Sequence, residues 1–271
     1  MKYLSTHRAR SLLIGLILVT SSCQKVIEIP IEDDNQVYIV EGVLKDRDSA
    51  SYFKVSKSVN IYADVTHEDV SAAIIGVTDE NNQTWVFNED PAEPGLYVNY
   101  DFVAVENMTY SLTASVDGNI ITSSSFSKKK PILDSIYTKP NTLDIEEPIS
   151  QWVFYHSTDR VDEQNNYRLR IWVNGKEPDQ YYIGNDYYIN GETYEAQFFL
   201  ADAYPGDTVH VEMLEMDPTV YRYFYGLQNT LTTGAFSPAP ANPPSNLSCE
   251  STEVHGYFGV FMTQVDSMIV Q

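Results

Sequence analysis

The groups in this sequence that could do chemistry are two cysteines, five histidines and 38 acidic side chains. Past residue 10 the histidines are His67, His156, His210 and His255, widely separated along the chain. None stands in a His-Glu-x-x-His array or beside a cysteine at zinc-ligand spacing. A nucleophile elbow needs Gly-x-Ser-x-Gly between a strand and a helix, and the sequence has no such run. The Gly-x-x-x-x-Gly-Lys-Ser/Thr loop that cradles nucleotide phosphates is missing as well. Asp46-Arg47-Asp48 offers two carboxylates at alternate positions. Ala50 stands where a third ligand belongs, so no EF-hand-type calcium loop is read there. The sequence thus assigns no catalytic residue, no metal ligand and no cofactor, and the chain is expected not to be an enzyme. Polymer hydrolysis, which needs only two suitably placed carboxylates, is the enzymatic alternative.

Cys23 has the more informative surroundings of the two cysteines. Lys2, Arg8 and Arg10 form a basic start, and residues 12–19 are an apolar run. That run is too short for a hydrocarbon core needing about 20 residues, so it reads as an export signal. Thr20-Ser21-Ser22 then leads directly into Cys23. The arrangement is similar to a lipobox, where signal peptidase II cuts ahead of a cysteine whose thiol carries diacylglycerol. Residues 1–22 are therefore read as a lipoprotein signal peptide, Cys23 as the lipidation site and 23–35 as a charged tether. Cys249 is left without an intrachain partner and reads as a small buried or loop residue.

The charge balance narrows the partners. Seventeen basic residues against 38 acidic ones give a formal net charge of −21. Such a chain repels phosphate backbones, which excludes nucleic acid. It approaches an anionic membrane only through the lipid on Cys23.

The elements that must position these groups are mostly strands. Tyr110, Leu112, Ala114 and Val116 alternate with Thr109, Ser111, Thr113 and Ser115, the period of a half-buried strand. Asp117-Gly118 and a second run at 120–126 make a hairpin. Short strands recurring over some 95 residues predict an immunoglobulin-like β-sandwich at 36–130. Lys128-Lys129-Lys130-Pro131 marks the expected boundary. The region 131–271 is read as a second β-rich domain carrying one helix near 217–232. Within it, Tyr167, Leu169, Ile171 and Val173 alternate with Arg168, Arg170, Trp172 and Asn174. Asp217-Pro218 reads as an N-cap and first helical position. Val220, Phe224, Leu227 and Leu231 form the helical stripe after it. The fold class is mainly β.

Two aromatic groups could bind something. Residues 180–183 and 187–190 flank Gly184-Asn185-Asp186 as an expected hairpin. Tyr181 and Tyr182 fall on opposite faces of it, as do Tyr187 and Tyr188. Whichever tyrosines face outward could stack on a sugar ring or join a protein interface. The plainer alternative is cross-strand aromatic pairing that stabilises the hairpin. The helix places Val220 and Phe224 toward the core, with Tyr223 and Tyr225 outward beside a loop holding Pro238, Pro240, Pro243 and Pro244. Exposed aromatics beside a stiff proline loop are a candidate partner contact.

Several segments taken in order carry a resemblance. They are Cys23 with its tether, Val37-Tyr38-Ile39-Val40-Glu41-Gly42, Pro131-Ile132-Leu133-Asp134-Ser135-Ile136 and Gly206-Asp207-Thr208-Val209. Tyr221, Asn242-Pro243-Pro244-Ser245-Asn246-Leu247 and Gly256-Tyr257-Phe258 complete the set. Together they resemble an uncharacterised Bacteroidota outer-membrane lipoprotein family, defined by a domain of unknown function and often encoded beside TonB-dependent receptors. The resemblance implies a lipid-anchored place at the outer membrane, on its periplasmic or its surface face. It also implies a role as accessory or binding subunit of such a receptor, and it supplies no catalytic residues. A free-standing glycan-binding or adhesion lipoprotein is the alternative function.

Overall fold

The computed structural model describes residues 37–48, 51–59, 65–145, 148–161, 163–232 and 242–271. Cys23, the tether and the prolines Pro238 and Pro240 lie outside the described residues. The first strands are β1 (Tyr38–Lys45), β2 (Tyr52–Lys57), β3 (Glu68–Asp69), β4 (Ile74–Asp79), β5 (Thr84–Glu89), β6 (Leu96–Val98), β7 (Met108–Val116) and β8 (Asn119–Ser127). Then follow β9 (Leu133–Pro140), β10 (Gln151–Thr158), β11 (Asn166–Val173), β12 (Tyr182–Asn185), β13 (Thr193–Ala203) and β14 (Thr208–Glu215). One helix, α1 (Pro218–Thr232), precedes β15 (Ser248–Cys249) and β16 (Val254–Ile269). The architecture is mainly β, as the alternation predicts.

The clearest alternating segment behaves as its pattern requires. Tyr110, Leu112, Ala114 and Val116 are buried on β7, while Ser111 and Thr113 face water. Asp117 and Gly118 both take the left-handed conformation (φ 48° and 82°), the geometry of a tight two-residue hairpin, and β8 returns alongside β7.

A 13-stranded sheet runs β12-β11-β14-β16-β1-β2-β6-β5-β4-β7-β8-β15, with β3 paired to β2 off this path; β13-β10-β9 form a separate sheet. The long strand β16 organises the whole. Its first half pairs in parallel with β1, from Tyr38↔Val254 to Lys45↔Phe261. Its second half pairs antiparallel with β14, from Glu215↔Met262 to Thr208↔Ile269. Even-numbered residues Phe258, Val260 and Met262 enter a first core with Val40, Leu44, Phe53 and Leu112. Further along the same face, Met268 and Val270 belong to a second core with Leu169, Val211, Val153 and Phe198. Residue 130 stands between β8, whose Ile121 is in the first core, and β9, whose Leu133 is in the second. The first core nevertheless takes Leu247, Cys249 and three buried β16 side chains from the far end of the chain.

Two local devices complete the first core. At Gly42, which pairs with Phe53 on one side and Phe258 on the other, the two rings stack at 5.9 Å over the bare backbone. A β-carbon there would sit 2.5 Å from the Phe53 ring, so the stacking needs glycine. Beside β8, the Asn246 side chain takes the place of a strand: it accepts the Phe258 N–H at 2.9 Å and donates to the Phe258 carbonyl at 2.7 Å. Buried peptide groups are thereby satisfied where the curled sheet does not close.

The lysine run between the cores is tied down. Lys130 lies 2.7 Å from Asp46, whose other oxygen accepts the Thr263 N–H at 3.0 Å. Asp46 is thus a clamp between chain segments. Lys128 donates to the Gln164 carbonyl and lies 4.0 Å from the fully buried Glu215. Burial outweighs the Asn166 N–H and Lys128 and pushes the Glu215 carboxyl up to about 8. Because its folded value exceeds its usual 4.5, the folded state holds a proton that the unfolded chain has lost. Glu215 therefore favours folding most at pH below 4.5, and this contribution falls as pH rises toward about 8. Glu215→Gln is expected to remove that slope. It should leave stability at pH 4.5 nearly unchanged and raise it by roughly 2–4 kcal/mol at pH 8.5. Urea midpoints at the two pH values check this, and equal slopes in both proteins would refute it.

Candidate functional site

The face of the large sheet opposite the two cores carries α1. Asp217 caps this helix, its Oδ1 accepting the N–H groups of Thr219 and Val220 at 2.8 and 3.1 Å. Pro218 occupies the first helical position, as its fixed φ suits. Val220 and Phe224 are buried against Val43, Leu214, Tyr257 and Phe261. These partners are odd-numbered residues of β1 and β16 and an even-numbered residue of β14. They point away from the cores.

A cleft of about 130 Å³ opens along this helix, walled by Glu41, Lys45, Tyr52, Arg168, Tyr181, Tyr223 and Tyr257 among others. Beneath it lies a charge cluster centred on Glu212, 1 % exposed. Lys45 Nζ donates to both Glu212 oxygens at 2.8 and 2.9 Å, Arg47 approaches at 2.5 Å and Arg170 at 3.7 Å. Arg170 is also held by Glu177 at 2.5 and 2.8 Å and lies 4.6 Å from the Trp172 ring. Burial pulls the Lys45 ammonium below its usual range, partly offset by Glu212. Two carboxylates thus occupy three cations, and none of the three is left without an anion.

Arg168 differs. Its guanidinium lies 4.4 Å from the Phe224 ring centre and 5.1 Å from that of Tyr181, a cation–π seat. Among the described residues no carboxylate pairs with it. Burial pushes the Tyr223 hydroxyl up to about 12 and Tyr257 well above its usual value, so both stay protonated and able to donate. Aromatic faces, hydroxyl donors and a spare guanidinium equip this cleft to hold a ligand.

The sequence-derived candidates divide between this cleft and other surfaces. Tyr181 and Tyr223 meet in it. Tyr223 is half-buried, its ring 4.8 Å from Tyr257, rather than facing outward as expected. Helix α1 seats that side against β16, and Tyr225, at 51 % exposure, takes the outer side. Tyr182 points the other way, its ring 5.1 Å from Phe198, into a second cleft of about 380 Å³ bounded by Tyr155, Tyr194 and Phe199. Burial holds its hydroxyl up to about 12. The hairpin expected at 180–190 is not formed. β12 pairs with β11 instead, and residues 187–190 make a turn. Asn185 Oδ1 accepts the Tyr187 N–H at 3.1 Å and Asp186 O accepts the Ile189 N–H at 2.9 Å, so local hydrogen bonds bend the chain before a second strand starts. Tyr187 and Tyr188 stand on that turn, 70 % and 91 % exposed, edge to face at 4.7 Å. Pro243 and Pro244 pack on the helix at Gly226, where a β-carbon would lie 3.0 Å from Pro244 Cδ. His210 sits on the outer face of β14, bonded to Ser267 Oγ at 2.7 Å.

Sequence reasoning missed Arg168 and Glu41 as site residues. The signal for Arg168 was the polar side of its own alternating strand, a basic residue directly beside Arg170 and Trp172 in a strongly acidic chain.

No curated protein matches this chain. A family model does, the domain of unknown function DUF4249, over residues 24–267, which takes in every strand described above except the last residues of β16. The chain belongs to the DUF4249 family.

Proposed function

We propose that this protein is a lipid-anchored lipoprotein of the bacterial outer membrane that serves as a non-enzymatic binding subunit beside a TonB-dependent receptor. The observation that carries the reading is the cleft along α1. It brings Tyr181 and Tyr223, proposed separately as ligand and partner contacts, onto one site with a spare guanidinium. The family match begins at residue 24, directly after Cys23, which agrees with a lipid on that cysteine followed by a tether. Affinity purification from native membranes tests the assembly: an integral barrel is expected with the intact chain, and its absence in gentle detergent overturns the reading. Cys23→Ser is expected to lose fatty-acid label and to collect as precursor or soluble protein. Stable anchoring needs two or more acyl chains, so loss of the site should release the protein nearly completely. Equal labelling of the variant refutes the anchor.

A second reading rests on the exposed Tyr187–Tyr188 pair, a platform on which a sugar ring could stack. It makes the protein a free-standing glycan-binding or adhesion lipoprotein. Glycan binding lost in Tyr188→Ala, with no barrel co-purified, would favour it.

A further inference from the structure

Beyond the charge cluster, the sheet face that carries α1 holds another opening, about 510 Å³ in volume. Cross-strand register fixes which side chains meet there. Trp172 stands opposite His210 and Arg170 opposite Glu212, so all four project on one face of β11 and β14. The Trp172 and His210 rings lie 5.3 Å apart. Lys45 and Arg47 reach the same place from the end of β1, through their contacts with Glu212. This opening shares only Lys45 and Arg170 with the cleft along α1.

The hydrogen-bonding positions left over here are mainly donors. The Glu212 carboxylate is already engaged, with Lys45 on both oxygens and Arg47 on one. Arg170 gives Nε and Nη2 to Glu177 and keeps Nη1 3.7 Å from Glu212, beyond hydrogen-bond reach. Arg47 Nε is buried with no hydrogen-bond partner among the described residues. His210 spends Nδ1 on Ser267 Oγ. The charges do not balance either. Lys45, Arg47 and Arg170 bring three positive charges, and Glu212 and Glu177 return two. The acids nearest along the chain are committed elsewhere: Asp46 to Lys130 at 2.7 Å, and Asp266 to the Ile136 N–H at 3.3 Å. One positive charge is in excess, in a chain whose formal net charge is −21.

Excess charge in a half-buried cluster carries a desolvation cost that a monoanion relieves. We propose that this opening binds the carboxylate of a small ring-bearing acid, held by Arg47 and Arg170 with the ring against Trp172. The guanidinium fork matches a carboxylate in two parallel hydrogen bonds. A single negative charge balances the cluster, whereas a phosphate dianion leaves it negative beside Glu212. The volume lies within the range of about 300–1,000 Å³ typical of small-molecule sites, more than a bare ion fills. The indole of Trp172 supplies flat apolar surface for the rest of the molecule. The assignment goes beyond the readings given above and requires neither of them.

The test is calorimetric titration of the purified chain with benzoate, benzamide, glucuronate, acetate and inorganic phosphate. Saturable binding of benzoate or of glucuronate is expected, and which of the two binds tells an aromatic acid from a sugar acid. Benzamide keeps the shape of benzoate without its charge, as methyl glucoside does for glucuronate. The neutral form of whichever acid binds should be at least about tenfold weaker, the loss of one charge-assisted contact. Acetate, which lacks the ring, and phosphate should both bind more weakly than that acid. In Arg47→Met, a change at a side chain 40 % exposed, acid and neutral form should bind alike. The neutral forms test the proposal on the unaltered protein, so a variant that fails to fold does not decide it. Equal affinity for acid and neutral form, tighter binding of phosphate, or no saturable binding of either acid overturns the assignment. None of these results changes what co-purifies from the membrane, so the accessory reading stands or falls by its own test.

Discussion

Replacing Gly256 with alanine is expected to destabilise the protein by on the order of 4 kcal/mol, enough to remove most of the folded population of an ordinary domain. Two causes add. Gly256 has φ of +104°, a region that L side chains rarely enter. A β-carbon there would also lie 2.0 Å from the Val40 carbonyl oxygen and 3.0 Å from the Val40 nitrogen. Val40 is the β1 residue paired with Gly256, and the contact is to backbone, which cannot rotate aside. Relief requires β1 and β16 to separate, and β16 feeds side chains to both cores. Gly118→Ala separates the causes. Gly118 also has positive φ, at +82°, but its added carbon would meet nothing within 4 Å, so it should cost only about 1–2 kcal/mol. Denaturant unfolding of the two variants checks the contrast, and similar losses would show that the close approach contributes nothing.

Local patterns carried much of this architecture. Alternation in β7 and β11, the Asp117-Gly118 hairpin and the Asp217-Pro218 start of α1 are all decided by residues within a few positions of one another. The parallel pairing of β1 with β16 is not. It joins residues more than 200 positions apart, and the β16 run has buried residues on both faces, so no alternation betrays which face each core takes. The candidate site shows the same division. Tyr181 and Tyr182 diverge as the alternation of extended chain requires, although the hairpin built on them fails because Asn185 and Asp186 satisfy local backbone groups first. The apolar stripe of Val220 and Phe224 puts Tyr223 outward, whereas β16 presents Tyr257 under that side of the helix. Arg168 and Glu41 come to line one cleft only when β11 and β1 are laid on the same sheet, separated by β14 and β16.

Glu212→Ala should be the most damaging change within that sheet's charge cluster, at about 3–5 kcal/mol. The carboxylate is 1 % exposed and faces three cations. Removing it leaves Lys45, 7 % exposed, with no counter-ion. Arg47 and Arg170 suffer less: the Arg47 side chain is 40 % exposed and Arg170 keeps Glu177. Lys45→Met alone should therefore cost less than Glu212→Ala, because Glu212 retains both arginines. The double change Lys45→Met with Glu212→Leu removes both buried charges and fills the space with apolar atoms. It is expected to recover most of the loss, since a buried ion pair returns little beyond its own desolvation. Thermal and urea unfolding of the unaltered protein, Lys45→Met, Glu212→Leu and the double variant form a cycle whose coupling energy reads the Lys45–Glu212 pair. If the double variant is as unstable as Glu212→Ala, the cluster contributes more than mutual neutralisation.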